Sequence, residues 1–355
     1  MAIEHMDNFS MYGTNKALLL NGVYAEATQP FATFGITADP DASGGRCVFF
    51  TVSNATTPTL RYVLDAAQEI VGWCGRVWLS ELPSDDNRRP NVISFRDASN
   101  GQFIGFLIET TGRVTAYGDL AGGSVTTTNP VMTANGWYHW EIKYDTSGNG
   151  GLELRIEGLT VIDLDDLGYA GHGATYQISS YFAGTNFDDT TMYLKDYVVW
   201  NGDGALNTDF LGSVIVYDLA PDADIDLNWT PNGQATGFAI LDNSPPDDGV
   251  DFLNATFPPP DAYVCTVGNL PPDVTSVKAL MTMVRAAKSD GGDGFLQMGL
   301  ISDPDGTPAT VLGADRPITV AFTYWRDVFE TDPKTSAPWL PSAVDEVQMQ
   351  MDRTA

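Results

Sequence analysis

The sequence has little cysteine and no long apolar run. Its three cysteines, Cys47, Cys74 and Cys265, are too few and too scattered to form a disulfide scaffold in a chain of 355 residues, and at least one must be unpaired. The segment Met1–Asp7 lacks the basic start and apolar core of a secretion signal. No stretch approaches the roughly 18 apolar residues that a membrane-spanning helix needs. We therefore expect folding in a reducing cytoplasm, without a signal peptide and without membrane insertion.

Positive charge is also scarce. The chain has 18 Lys and Arg residues against 46 Asp and Glu residues, which gives a formal net charge of -28. A surface this acidic repels the phosphates of DNA and RNA, so direct nucleic-acid binding is not expected. The acidity is better explained as a means of keeping the protein soluble.

Motifs for nucleophilic catalysis and for zinc are missing. The three histidines, His5, His139 and His172, have no nucleophile motif nearby and no cysteine spacing that suits zinc. Neither a phosphate-binding Gly-Lys-Ser/Thr loop nor a dinucleotide-binding fingerprint occurs. We expect His5 in a mobile end, His139 pointing outward from a strand, and His172 in a loop.

The carboxylates do not form a recognisable catalytic or metal-binding pattern either. A glycoside hydrolase needs two carboxyl groups about 5–10 Å apart, but Glu153 and Glu157 alternate with Arg155 as expected for a solvent-facing strand surface. Asp39 begins an EF-hand-like stretch that fails at its twelfth position, Phe50. Turn chemistry accounts for the remaining carboxylate loops, Asp188-Asp189 beside Asn186 and Asp303–Gly306. The sequence therefore predicts no catalytic residue, no metal site, no cofactor and no enzymatic activity.

What the sequence does contain is alternating apolar and polar residues between frequent turns, the pattern of an all-β fold. The strand Tyr138–Tyr144 and the run Leu152–Glu157 predict one hairpin, and Phe103–Ile108 with Val114–Tyr117 predicts another. Further predicted strands of the first half are Ala17–Leu20, Cys47–Val52, Val71–Leu79, Val92–Phe95 and Tyr193–Trp200. These suffice for two stacked sheets.

The tryptophans bear on sugar binding, which uses exposed aromatic side chains. Trp73, Trp78, Trp137 and Trp140 lie in strand-like contexts, where burial is the default. Trp339 lies in a proline-bounded loop and is expected either to be exposed or to anchor the last strand.

The first 200 residues resemble the laminin-G/concanavalin-A-like jelly roll. The resemblance is carried by Gly44–Phe50, by the Gly136-Trp137-Tyr138-His139 strand before a glycine-turned hairpin, and by the closing strand Tyr193–Trp200. A Gly/Asn/Asp cluster, Asn201–Gly204, follows that strand and indicates a domain boundary. Domains of this type include lectins and glycoside hydrolases, so the resemblance implies a fold and leaves the activity open.

The second half predicts its own strands and one short helix. Val274–Lys288 fits a helix or a strand, and we favour a strand because Gly294–Ile301 and Ile318–Val328 also have strand character. Near the C-terminus, Ser342 is predicted to cap a short helix that leads into a last strand, Val347–Met351.

Residues 205–355 resemble a family of structural proteins of tailed bacteriophages. Phe210-Leu211-Gly212-Ser213-Val214 and Asp332–Trp339, followed by the short helix and last strand, match that family's pattern, except that Ser213 replaces an acidic residue and Pro338 precedes Trp339. The resemblance implies a component of the virion.

Together these observations predict an all-β protein with two jelly-roll-like β-sandwich domains in tandem, residues 1–203 and 204–355. The expected function is that of a non-enzymatic bacteriophage virion surface protein, as a tail, fibre or head-attached decoration component. Its expected partners are capsid, neck or tail subunits and further copies of itself. The alternative is a carbohydrate-binding adhesin of the phage tail that recognises a host surface glycan.

Overall fold

The computed structural model describes residues 2–20, 23–27, 34–42, 44–51, 58–85, 89–120, 123–167, 173–182, 190–255, 262–289 and 291–354. The chain divides into two compact units, Ala2–Val216 and Tyr217–Ala355. Residues 204–216, which the sequence assigns to the second domain, belong to the first unit.

The first unit consists of fifteen described strands and two short 3-10 helical segments, Ser10–Tyr12 and Lys16–Leu20. The strands are β1 (Ile3–Asp7), β2 (Glu26–Ala27), β3 (Phe34–Ala38), β4 (Arg46–Thr51), β5 (Thr59–Gln68), β6 (Ile70–Leu79), β7 (Pro90–Arg96), β8 (Gln102–Ile108), β9 (Val114–Gly118), β10 (Ser124–Thr126), β11 (Tyr138–Asp145), β12 (Gly151–Ile156), β13 (Leu159–Asp165), β14 (Thr175–Phe182) and β15 (Thr191–Asn201).

These strands form two antiparallel sheets, which we call sheet A and sheet B. Sheet A has the order β13-β12-β11-β6-β15-β4-β3, with β1 paired to β15, and sheet B has the order β10-β9-β8-β7-β14-β5-β2. One face of each sheet carries buried apolar side chains, as in a β-sandwich. The buried side chains include Trp73, Trp140 and Ile142 from sheet A, and Phe95, Ile104, Phe106 and Ile178 from sheet B.

The second unit contains the strands β16 (Pro221–Leu227), β17 (Thr230–Asn232), β18 (Phe252–Asn254), β19 (Ala262–Val267), β20 (Leu280–Ala286), β21 (Phe295–Ser302), β22 (Ala309–Leu312), β23 (Arg316–Pro317), β24 (Thr323–Phe329) and β25 (Gln348–Arg353), and the helices α1 (Gly237–Leu241) and α2 (Pro341–Val344). A six-stranded sheet has the order β16-β19-β25-β21-β22, with β23 paired to β21, and β20 pairs with β24 separately. A core cluster that includes Tyr263, Met298 and Val284 joins these two layers. The prediction of a tandem all-β sandwich protein is confirmed.

Both predicted hairpins of the first unit are present. Strands β11 and β12 pair with Trp140 opposite Ile156 and Tyr144 opposite Leu152, and β8 pairs with β9. The β11–β12 hairpin alternates strictly and has a glycine-rich turn, so its register follows directly from the sequence.

Three local predictions are wrong. Ala17–Leu20 lies in a 3-10 segment instead of a strand, and the Asn15 side chain accepts a hydrogen bond from the Ala17 amide at its start. The strand predicted from Val274 begins only at Leu280. The last helix has Leu340 at its N-cap position and Pro341 as its first residue, so Ser342 lies inside it. Within the described ranges, no helix has the length and apolar character needed to cross a membrane.

Candidate functional site

The outward face of sheet B is polar across five adjacent strands. Cross-strand pairing places side chains in rows on this face, because paired residues point to the same side of a sheet. One row is Gln102, Arg96, Gln177 and Val63; the next is Tyr117, Gly105, Ser94, Ser179 and Arg61; the third is Thr115, Leu107, Asn91, Tyr181 and Thr59. We call these three rows the polar face. Their only charged members are two arginines, in a chain whose net charge is -28.

Four polar side chains at the centre of this face form one hydrogen-bond network. The hydroxyl oxygens of Tyr117 and Tyr181 lie 2.9 Å apart. Tyr181 donates to Oε1 of Gln102 at 2.8 Å, and Nδ2 of Asn91 donates to the Tyr117 hydroxyl at 2.5 Å. Burial, followed by the neighbouring Tyr117, raises the pKa of Tyr181 above its ordinary value. Its hydroxyl therefore remains protonated at neutral pH and can act as a hydrogen-bond donor.

The two arginines stand on either side of β14. Arg61 donates to Oε1 of Gln177 at 3.1 Å, whereas Arg96 donates to Ser94 and lies over the Tyr181 ring, 5.3 Å from its centre. Partial burial, and next the charge of Arg96, lower the pKa of Arg61. The two guanidinium groups thus repel each other, and an anion bound between them would relieve that repulsion.

Two features show that this face is tightly packed and has unmet hydrogen-bonding capacity. Oδ1 of the fully buried Asn91 and Oγ of the buried Ser179 have no hydrogen-bond partner among the described residues. A Cβ at Gly105 would come within 2.8 Å of both Asn91 Nδ2 and a Tyr117 ring carbon. Glycine is therefore required beneath the network, and a polar ligand would supply the missing partners.

The corresponding polar alternation on sheet A does not face solvent, and the prediction for His139 is wrong. His139 is 4% exposed and Glu141 2% exposed. The segment from Asp203 to Val216 lies on this side of the sheet, where the Gly212 amide donates to Glu141 at 2.8 Å. Burial, with the charge of Arg76 as the next cause, lowers the pKa of His139 to about 4.

His5 is not in a mobile end. Strand β1 pairs with β15, and the fully buried His5 ring stacks on Tyr62 with ring centres 4.9 Å apart. Nε2 of His5 lies 3.2 Å from the Tyr24 hydroxyl. An N-terminal strand needs only a partner to become ordered, and a short sequence gives no sign of a partner about 195 residues away. His172 lies outside the described residues.

The carboxylates considered from the sequence serve structural contacts. Glu153 accepts a 2.7 Å hydrogen bond from Arg155, and Glu157 accepts one from the His139 amide. Asp39 is buried and bonded to Lys195 at 2.6 Å. Asp303 accepts a bond from the Thr307 amide within its own turn, while Asn186 and Asp188-Asp189 lie outside the described ranges. In the part of the chain that the structure describes, no group of three or more His, Cys, Asp or Glu side chains is placed to hold a metal ion.

The tryptophans divide between core and surface. Trp73 and Trp140 are fully buried as expected, while Trp78 and Trp137 are half-buried and pack edge to face. Trp339 is 2% exposed and donates from Nε1 to the Phe329 carbonyl at 2.9 Å. Of its two expected placements, anchoring of the chain end is the one observed.

The sequence alone did not reveal the polar face. Its residues come from five strands between positions 59 and 181, and the pairs of strands that bring them together are distant in the chain. Strands β5 and β14, which carry Arg61 and Gln177, were not predicted. The one local signal was the alternation of Asn91, Ser94 and Arg96 with apolar residues in β7.

Comparison with known proteins gives similarity at the level of the fold. No protein-family model matches the chain, and no curated protein matches it. Among solved structures, it is similar to a sialidase, at 13% identity and a TM-score of 0.44, over 57% of this chain and 19% of the sialidase. It is also similar to an endo-β-1,4-glucuronan lyase from the fungus Trichoderma reesei, at 10% identity and a TM-score of 0.41, over 56% of this chain and 95% of the lyase. A third similar structure is a family 7 alginate lyase, at 15% identity and a TM-score of 0.38, over 50% of this chain and 85% of that lyase. The chain therefore spans only about a fifth of the sialidase.

These comparisons correct one prediction. The neighbours are jelly-roll sandwich proteins named as enzymes, which contradicts the expectation that this chain is not an enzyme. That expectation depended on the absence of a paired-carboxylate motif within one strand. Such a criterion does not detect a face that is assembled from Tyr, Asn, Gln and Arg side chains on several strands. Neither the sialidase nor the two lyases indicate a bacteriophage family.

Proposed function

We propose that this protein is a surface component of a bacteriophage virion whose first unit binds an acidic glycan on the polar face of sheet B. The observation that carries the glycan assignment is the joined network of Tyr117, Tyr181, Asn91 and Gln102 beside Arg96. Sugars are recognised by such hydroxyl and amide groups, placed rigidly on adjacent strands.

The acidic character of the ligand is inferred from charge. Arg61 and Arg96 flank β14, and the fourteen positions of the polar face hold no carboxylate. Glu26, on the edge strand β2, is the cross-strand neighbour of Arg61 on the side away from Arg96. Arginine binds carboxylates through two parallel hydrogen bonds. We place the acidic group of one sugar between these arginines, above Ser179, and the remaining sugars of the glycan along Tyr117 and Tyr181.

The virion assignment is supported by the two resemblances in the sequence. Phe210–Val214, at the end of the first unit, and Asp332–Trp339, in the second unit, match the phage structural pattern, and the strands of the jelly roll precede both in the same order as in that family. Glycan recognition by the first unit is compatible with adsorption to a host surface.

A second candidate activity is cleavage of the bound glycan by β-elimination, and the 2.9 Å tyrosine pair favours it. In such a reaction a base removes the proton beside the sugar carboxylate, the bond to the leaving glycan oxygen breaks, and that oxygen takes up a proton. The protonated Tyr181 hydroxyl is suited to supply the latter proton, and Arg96 to stabilise the carboxylate. The product carries a new carbon–carbon double bond.

Calorimetric titration with a polyuronate oligosaccharide, and with the same oligosaccharide after reduction of its carboxyl groups, tests the proposal. We expect binding of the acidic form, at least tenfold weaker binding of the reduced form, and at least tenfold weaker binding by Tyr181→Phe and by Arg96→Gln. Tyr138→Phe is the matched control, because the Tyr138 hydroxyl bonds to Thr133 away from this face. Binding that is absent across a panel of acidic glycans, or unchanged in both variants, would overturn the assignment. Ultraviolet absorbance of the new double bond distinguishes cleavage from binding alone.

A further inference from the structure

The other sheet of the first unit carries a second distinctive surface. On the outward side of sheet A, pairing places Trp78, Tyr193 and Phe49 in one row across β6, β15 and β4. All three side chains are half-buried. A Cβ at Gly35 would lie 2.8 Å from a ring carbon of Phe49, so the Phe49 ring leans across the neighbouring strand β3 instead of standing upright. We call these three residues the aromatic row.

Beside the aromatic row lies a second row, the basic row, in which one histidine stands next to two cations that are each paired with a carboxylate. His139, Arg76 and Lys195 are consecutive cross-strand neighbours. Arg76 lies 3.3 Å from Asp196, and Lys195 lies 2.6 Å from Asp39. The side chain of Arg76 is 26% exposed, so its guanidinium can still accept a second carboxylate. Arg76 and Lys195 are each paired with one carboxylate, whereas the chain as a whole has one excess negative charge for every 13 residues or so.

The same side of sheet A already binds one extended segment of this chain. Farther along the sheet, Phe210 packs against Trp200, the Arg155 guanidinium lies 3.6 Å from the centre of the Phe210 ring, and the Val216 amide donates to Asp196 at 3.0 Å. Asp196 therefore joins the covered part of the sheet to the basic row. The aromatic row extends this combination of aromatic and basic side chains beyond the covered part of the sheet.

The second unit carries a segment that is complementary to the aromatic row. Strand β16, Pro221–Leu227, is an edge of the six-stranded sheet and reads Pro-Asp-Ala-Asp-Ile-Asp-Leu. Ile225 is 55% exposed and Leu227 38% exposed, with aspartates between apolar positions and no basic residue. Pro221 and two irregularities of register oppose backbone pairing along this edge. Strand β16 can therefore bind a partner through its side chains.

We propose that the aromatic row of one copy of this protein binds strand β16 of a second copy, in a head-to-tail interface. Ile225 and Leu227 would pack on Trp78 and Tyr193, and a β16 aspartate would bind the exposed edge of the Arg76 guanidinium. Aromatic residues and arginine dominate the binding energy of protein interfaces. Because the two surfaces are different, each copy has one of each, and successive contacts build a ring or a chain of subunits.

Sedimentation velocity over a range of protein concentrations tests the interface with two variants, Trp78→Gln and Ile225→Ser. We expect the wild type to associate, and each variant alone to sediment as a single chain of 38.3 kDa. A mixture of the two variants should form a species of two chains, because the mixture retains one intact pair of surfaces. Tyr193→Gln and Leu227→Ser repeat the test independently, and circular dichroism confirms the fold of each variant.

Leu159→Ser and Leu340→Ser are the matched controls, since Leu159 is 70% exposed and Leu340 64% exposed, and neither belongs to the aromatic row or to β16. They should associate as the wild type does. A wild type that remains a single chain at every concentration, or a folded variant pair whose mixture does not associate, would overturn the proposal. Loss of association in Trp78→Gln but not in Ile225→Ser would also do so, because it indicates a symmetric contact of the aromatic row with itself.

Discussion

The guanidinium of Arg155 lies 3.6 Å from the centre of the Phe210 ring. Arg155 is on strand β12 of sheet A, and Phe210 is in the segment that follows the last strand of the first unit. Segment 203–216 thus folds back over the sheet. Because this segment covers part of sheet A, the polar side chains that alternate along β11 are buried instead of facing solvent. The compact first unit therefore extends to Val216.

Phe210→Ala is expected to destabilise the first unit. The substitution removes a half-buried ring together with its contacts to Arg155 and Trp200, and we expect a loss of about 1–2 kcal/mol of unfolding free energy, less than for a fully buried phenylalanine. Hydrogen exchange should also accelerate at the Gly212 amide, which bonds to Glu141. Chemical denaturation with Leu159→Ala as the control measures the first effect. Equal stability of the two variants would mean that the segment does not hold the sheet.

The difference between what the sequence predicted and what it did not follows from the range of the interactions. The hairpin of β11 and β12 depends on residues within 19 positions of each other, and its register was predictable. The contact of Gly212 with Glu141, some 70 residues apart, is not encoded in any local pattern. The polar face is harder still, because Asn91 and Tyr117 meet Tyr181 only after β14 inserts between β7 and β5.

Gly105→Ala is expected to weaken glycan binding and leave the fold intact. The new methyl group would approach Asn91, Tyr117 and Gln102 to within 2.8–2.9 Å, so all three side chains must move. We expect a loss in affinity of at least tenfold, about 1.4 kcal/mol. The variant should retain the circular dichroism spectrum of the wild type. Gly173→Ala is the control, since a Cβ there meets nothing within 4 Å and the residue has no left-handed backbone. Unchanged affinity in Gly105→Ala would show that the hydrogen-bond network does not take part in binding.

Trp339→Phe tests the anchoring of the second unit. The substitution keeps an aromatic ring but removes the Nε1 donor, which leaves the buried Phe329 carbonyl without this hydrogen bond. An unsatisfied buried acceptor costs about 1–3 kcal/mol. Denaturant unfolding followed by the tryptophans of the second unit should therefore shift to lower denaturant concentration. A Leu340→Phe control, at the exposed neighbouring position, should leave the midpoint in place.

The buried His139 should make the first unit less stable in mild acid. Burial lowers its pKa in the folded protein to about 4, whereas an unfolded histidine titrates near 6.5. Between these two values the unfolded chain binds a proton that the folded chain does not, so the unfolding free energy falls as the pH drops from about 6.5 to about 4. A shift of this size corresponds to a loss on the order of 2–3 kcal/mol.

Many carboxylates titrate over the same range, so the informative quantity is the difference in unfolding free energy between the wild type and His139→Gln. We expect the variant to gain stability relative to the wild type as the pH is lowered from 7 to 4, in denaturation curves measured at each pH unit. Parallel stability profiles would show that His139 is protonated equally in both states, and hence that the fold does not exclude water from its ring.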